Sequence, residues 1–523
     1  MKRFAAVLCT LMMGISVVQV PVHAQGGVVK ATSVIKATKK TRKGVQSLGT
    51  NNEKLYKYLV KKVNAIDHGS TSSTLINVPM SVFGMNKTVT KKQLGVSKLT
   101  KNGYVPTTVE TKLLKYLKID ISAVMEKLYY SIPEMYWYDY YDQRWTLSNA
   151  SNYRLQCYVT ANSIRYYTKS GSIQIKMAVG REYGSNYKVS NTGRTLFSLA
   201  KDNAKRIVSA ASGLSDYNKI MYYKNIISQI TAYDNDAMTH YKKSQIAQWE
   251  LINVFDGDAN TKVVCEGYAK AFQYLCNLTK WTSNTYSEMV SGQVKAGSDD
   301  AYAHMWNIVH YNGNNYVVDV TNCDTDDATV SENYLFMVAN SSNVTTSYTI
   351  PVTINNSLTN VTYAYDNDTL ACYKTSDLKL ATSNYTSSEV LSAPEVHVYN
   401  LGKTIKKATL TSTGQALQTC EICGATRTVT LSKLKIGTPT IKKAYYVRSR
   451  KIYVSYHKGS YNKTYQVSYR LKGSSKWKSV NTTSTKKTIK NLKRKKYYYI
   501  RVRGINGSVK SSWSGSKKIY VKS

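Results

Sequence analysis

The stretch VVCEGYAKAFQYLCN, Val263 to Asn277, sets one cysteine between a short apolar run and a segment with helical spacing. Tyr268, Ala269, Phe272, Leu275 and Cys276 recur at intervals of three and four, which predicts a helix with one apolar face. Cys265 then falls in the first helical turn. There the positive end of the helix favours a thiolate, and backbone N–H groups without an intrahelical acceptor can receive an oxyanion. Gly267 is expected to leave room beside the thiol. The competing readings of such a cysteine are core packing or half of a disulfide.

A thiol nucleophile needs a base to take its proton and a third group to orient that base. The stretch AYAHMWNIVHYNGNNYVVDVTNCD, Ala301 to Asp324, offers both. It alternates as two strands about Asn312-Gly313, a pair suited to a two-residue hairpin turn. In that register Tyr311 faces Asn314 and Trp306 faces Asp319, which puts His304 diagonal to Asp319 at about 7–8 Å between Cα atoms. A hydrogen bond from imidazole to carboxylate spans that gap. Asp319 lies between Val318 and Val320, where a carboxylate costs free energy unless it is paired. His310 and His240 have no comparable partner. Trp306 and Tyr268 are either walls of an acyl channel or ordinary core.

These segments, VVCEGYAKAFQYLCN, AHMWNIV and NYVVDVTNCD, resemble the three core motifs of the transglutaminase-like superfamily across residues 263–324. A weaker likeness extends upstream to SIPEMYWY (Ser131–Tyr138) and ITAYDND (Ile230–Asp236). The resemblance implies a papain-like α+β core in which Cys265 is the nucleophile, His304 the general base and acid, and Asp319 the orienting carboxylate. Asn322-Cys323 stand where members usually carry a tryptophan or similar residue, a departure at the wall of the substrate cleft. The implied activity is thiol-mediated acyl transfer on an amide or peptide substrate. A cysteine peptidase of the same fold and a non-catalytic surface-binding module are the alternatives. No cofactor is expected. The Cys265 amide is the natural first oxyanion donor, and no motif locates the second.

Compartment follows from the N-terminus. Lys2 and Arg3 precede the apolar run Phe4 to Val20, and Val22-His23-Ala24 offers small residues for cleavage, so residues 1–24 read as a signal peptide. No later run is long enough to span a bilayer. The mature chain is expected to be secreted, with any retention at the cell surface noncovalent. Removal of Cys9 leaves seven cysteines, an odd number that requires a free thiol or an intermolecular bridge. Residues 25–105 read as a basic, weakly structured leader and 106–365 as the transglutaminase-like domain.

Residues 366–435 read as a connector holding a small β module around Cys420-Glu421-Ile422-Cys423-Gly424. This has zinc-knuckle spacing, but a four-ligand site needs a second pair and none lies nearby in the sequence, so no metal is expected. A local structural element or a disulfide is expected instead. Residues 436–523 repeat short alternating strands and resemble a fibronectin type III sandwich, with Leu492 and Tyr498 at the offset of that family's leucine and corner tyrosine. Seventy-two basic against 31 acidic residues give the chain a charge of +41. From Ile436 to Ser523 there are 24 Lys or Arg and no Asp or Glu. For an exported protein this points to an anionic wall polymer or glycan, with solvated surface as the plainer reading and no nucleic acid expected.

Overall fold

The computed structural model describes residues 49–523 except 80, 83–87, 100–104, 107, 110–111, 113–119, 143, 149–154, 169–171, 238–239, 241, 243–244, 326–332, 341–345, 355–356 and 523. The expected signal peptide and the first part of the basic leader lie outside these residues. The chain is α+β and divides into two compact units, residues 1–401 with 419–425, and residues 402–418 with 426–523.

The first unit opens with helix α1, Gly49–Asp67. Its Leu55, Tyr56, Leu59, Val60, Val63 and Ile66 are buried in the unit's main core. Spacing of three and four puts these side chains on one stripe. The Trp137 indole N–H donates to Asp67 Oδ1 at 2.8 Å, which ties the helix to the aromatic segment around Tyr136. The expected weakly structured region is thus corrected from residue 49 onward. On α1 the exposed Lys54, Lys57 and Lys61 lie off the apolar stripe. The boundary expected at 105/106 does not appear in the packing.

Three further helices, α2 (Ile121–Ser131), α3 (Asn191–Ala210) and α4 (Asp216–Ile230), carry side-chain N-caps from Asp120, Ser190 and Ser215. Each cap satisfies an N–H group that the helix leaves without a partner. Helix α5, Cys265–Leu278, packs on a six-stranded antiparallel sheet. In chain order its strands are β1 (Tyr286–Ala296), β2 (Tyr302–Tyr311), β3 (Asn314–Val318), β4 (Phe336–Val338), β5 (Ser347–Ile354) and β6 (Ser357–Tyr365). Their spatial order is β4-β3-β2-β1-β6-β5.

The β2–β3 hairpin pairs Tyr311 with Asn314. Asn312 and Gly313 have φ of 49° and 83°, the two left-handed positions that a primed turn demands. Gly292 on β1 sits opposite His304, and a Cβ there would come within 2.0 Å of the Ala364 carbonyl on β6. Only glycine lets β1 and β6 close at that point.

Residues 366–401 are not a connector. The Tyr373 hydroxyl donates to the Met289 carbonyl at 2.9 Å, and the buried Asn203 amide bonds both the N–H (3.1 Å) and the carbonyl (2.7 Å) of Tyr399. The segment reads as a connector because Ser, Thr and Asn make up a third of it, yet a few buried contacts hold it to the first unit.

The second unit contains a three-stranded sheet, Lys403–Lys406, Gly414–Thr419 and Thr426–Leu431. It also contains two further sheets. One runs Thr440–Val447, Lys451–His457, Lys486–Ile489; the other runs Lys478–Thr482, Thr464–Leu471, Lys496–Asn506, with Lys517–Val521 on the last strand. Ile452, Val454, Val467, Ile500, Val502 and Val521 form their common core. The alternation that buries every second residue of Lys451–His457 is the period of a half-buried strand. The Tyr498 hydroxyl accepts from the Lys493 N–H at 3.0 Å, closing a corner beside buried Leu492.

Candidate active site

Cys265 is the first residue of α5, after an extended Val264 that provides no side-chain cap. The approach to it is pinned from two sides. The Val264 N–H donates to the Gln248 carbonyl at 2.9 Å, while Val263 exchanges backbone hydrogen bonds with Ala232 and Asp234. An uncapped first turn leaves N–H groups and the positive end of the helix at the thiol. Gly267 has a different role from the expected one. A Cβ there would lie 2.5 Å from Cβ of Val263, so the glycine admits Val263 against the helix.

His304 is buried on β2, and its Nε2 lies 2.8 Å from Asp319 Oδ2. Cys265 lies close enough for the two side chains to feel each other, and with Nε2 on Asp319 the remaining ring nitrogen, Nδ1, is the one left for the thiol. The structure therefore brings Cys265, His304 and Asp319 together. Burial alone would lower the imidazole pKa. The Asp319 charge, the hydrogen bond to it and the nearby Cys265 thiol more than offset this and hold His304 well above its ordinary range.

Asp319 is fully buried at the N-cap of a one-turn helix, Val320–Cys323. Burial would raise its pKa, but His304, Tyr363 and Asn322 keep it below the usual carboxylate value. The Tyr363 hydroxyl and Asn322 Nδ2 each donate to Oδ2 at 2.7 Å, and the Asn322 N–H reaches Oδ1 at 3.3 Å. Sequence reasoning assigned neither residue. Asn322 was marked as a departure at the cleft wall, whereas its amide holds the carboxylate. Tyr363 comes from β6, two strands away, and nothing local announced it.

Trp306 and Tyr268 are core. Trp306 is buried and donates from its indole to the Tyr348 hydroxyl at 2.8 Å; buried Tyr268 donates to Asp324. His310 is not part of the site, since its Nδ1 lies 2.9 Å from Asn315 Oδ1 and its ring stacks on Tyr286. Partly exposed Tyr233 and Tyr302 lie close enough to Cys265 to feel its charge. A cleft of about 230 Å³, lined in part by Asp234, His240, Gln248 and Trp249, adjoins the extended segment that leads into α5.

Directly behind the nucleophile, Lys270 Nζ lies 2.7 Å from both Glu250 Oε1 and Glu266 Oε1. Tyr129 and Tyr141 donate to the Glu266 carboxylate. Glu266 and Lys270 are one turn apart on α5, so their pairing was readable, but the partners from other elements were not.

Among the described residues none of the six cysteines with placed side chains is in a disulfide. Burial pushes the Cys323 thiol up to about 12 and the Cys372 thiol up as well. No helix among the described residues is long and apolar enough to cross a membrane.

No family model matches the chain, and no curated protein matches it. Solved structures that resemble part of it are fibronectin type III domains. The FN5 domain of Drosophila Lar is 18% identical, covering 17% of this chain and 98% of that one at a TM-score of 0.16. An Fn3-like protein from Clostridium thermocellum is 17% identical, covering 17% and 97% at 0.16. The fn3 domain of human contactin 1 is 17% identical, covering 17% and 87% at 0.16.

Proposed function

We propose that the protein is a secreted or surface-associated thiol acyltransferase of transglutaminase-like type, with a papain-like core and a fibronectin type III-like C-terminal sandwich. The observation that carries the reading is the buried His304–Asp319 pair set against a thiol at an uncapped helix N-terminus. Three groups with this chemistry converge from a helix, a strand and a helix cap, which is more than core packing needs. Placement of the nucleophile helix on an antiparallel sheet that carries the histidine supports the papain-like reading.

The chemistry follows from the arrangement. His304 takes the proton of Cys265, and the thiolate attacks a carboxamide or peptide carbonyl. The tetrahedral oxyanion is received by the Cys265 N–H at the start of α5. Collapse breaks the C–N bond as protonated His304 gives its proton to the leaving amine, and a thioester remains. A primary amine resolves it by transfer, or water by hydrolysis. Transfer is the favoured outcome.

The test is to incubate the mature protein with a glutamine-containing protein and a tagged primary amine, beside a Cys265→Ala control. Tag incorporation that depends on Cys265 is expected. Cys265-dependent backbone cleavage without incorporation would assign a peptidase. An unreactive Cys265 with neither product would sink the catalytic reading and leave a binding module.

A further inference from the structure

The clearest cluster of ligand-type side chains outside the active site lies where the chain re-enters the first unit. Among the described residues, the group of His, Cys, Asp and Glu close enough to hold an ion is His397, Cys420 and Cys423, whose ligand atoms all lie within 4.8 Å of one another. His397 Nδ1 is 3.3 Å from Cys423 Sγ. All three residues belong to the first unit.

We propose that His397, Cys420 and Cys423 bind a zinc ion that staples the 419–425 loop to the 397–400 segment. A tetrahedral zinc about 2.3 Å from sulfur and about 2.0–2.1 Å from nitrogen holds its ligand atoms about 3.5–3.8 Å apart, so the observed cluster closes on an ion with small side-chain shifts. Two thiolates and an imidazole form a borderline-soft donor set that suits zinc, while calcium and magnesium prefer oxygen ligands. Three protein ligands leave the fourth position to water.

The backbone supports this geometry. Tyr399 and Cys420 form an antiparallel bridge, the Asn400 N–H donates to Thr419 O at 3.0 Å, and the Glu421 N–H donates to Val398 O at 3.0 Å. The segment carrying His397 is thereby held beside the cysteine loop. Within that loop the Gly424 N–H returns to Cys420 O at 2.9 Å, and Gly424 has φ of 72°. This reversal turns Cys423 back toward Cys420 and favours glycine. A thioredoxin-like pair would open a helix, whereas here β-strands flank the loop on both sides. The sequence hid the site because His397 lies 23 residues before Cys420, outside the spacing of a zinc knuckle.

The experiment uses the mature full-length protein, purified without reductant, and measures bound metal by mass spectrometry after gel filtration. About one zinc per chain is expected. His397→Ala and Cys423→Ser, both at exposed positions, should weaken zinc binding by more than about a hundredfold, beyond what loss of an outer partner costs. Far-UV circular dichroism and Cys265 labelling should stay as in the parent. Cobalt loading should give thiolate charge-transfer and tetrahedral d–d bands that vanish in Cys423→Ser. Absence of metal, equal retention by the variants, or recovery of Cys420 and Cys423 as a disulfide would each overturn the proposal.

Discussion

Asp319 is the residue on which the site depends. An unpaired carboxylate with no solvent contact is costly, and three side chains converge on its Oδ2. The raised His304 pKa stabilises the fold below about pH 6.5, and that contribution is lost as pH rises through the folded value. The depressed Asp319 pKa acts in the opposite sense: its contribution is present above about pH 3.9 and is lost as pH falls through the folded value. Across neutral pH both are in force. Asp319→Asn should therefore slow transfer on the order of 10⁴-fold and move the alkaline limb of the rate profile to lower pH, because His304 loses the charge that holds its proton. Tyr363→Phe removes one hydrogen bond to a charged group and should cost about tenfold to a hundredfold, with a smaller shift of the same limb. A rate loss in Tyr363→Phe with no change in the profile would assign the tyrosine to packing alone. The His304–Asp319 pair was legible because Asn312-Gly313 fixes the hairpin register from within the segment. Tyr363 was not, because β6 reaches the site by pairing with β1, and no turn chemistry between those strands sets their register.

Helix α5 shows where an element-level pattern stops being informative. Its apolar spacing predicted one buried face, yet every residue from Glu266 to Cys276 is buried. Most polar groups of the supposed outer face find partners within the protein, Gln273 Oε1 being a buried exception. Lys270 bridges Glu250 and Glu266, Gln273 donates to the Tyr130 carbonyl at 3.1 Å, and the Lys270 ammonium lies 4.8 Å from the Tyr129 ring centre. Burial pushes Glu250 well up despite the adjacent lysine; Lys270, which burial alone would lower, is held above its ordinary value by the two carboxylates. Periodicity distinguishes apolar from polar residues but says nothing of a charged layer closed by other elements. Such a layer matters most when one member is removed. Lys270→Met should destabilise the first unit by about 3–5 kcal/mol, because two buried carboxylates lose their cation. The urea midpoint should fall with the slope unchanged. Adding Glu266→Gln should restore part of the loss, and a lysine variant as stable as the parent would show that the carboxylates find other partners.

At the scale of the whole molecule, the +41 charge is not spread evenly, and the second unit carries its cations in an ordered setting. Arg501 lies 3.9 Å from the Trp477 ring centre and 4.2 Å from that of Trp513, while Arg503 lies 4.3 Å from Trp513. Each contact holds a guanidinium on an aromatic face. Exposed Lys493, Arg494 and Lys496 add a second concentration of charge at the turn into Lys496–Asn506. Exposed charges act over about 8 Å at physiological ionic strength, so attraction to an anionic wall polymer should be strong in dilute buffer and fall steeply with added salt. Replacing Lys493, Arg494 and Lys496 by glutamine should weaken retention on anionic wall material and flatten its salt dependence. Cys265 labelling should not change, since these residues lie in a unit with its own core. Retention that survives high salt and the triple replacement would instead require a pocket recognising the polymer's shape, and the charge excess would then serve only as solvated surface.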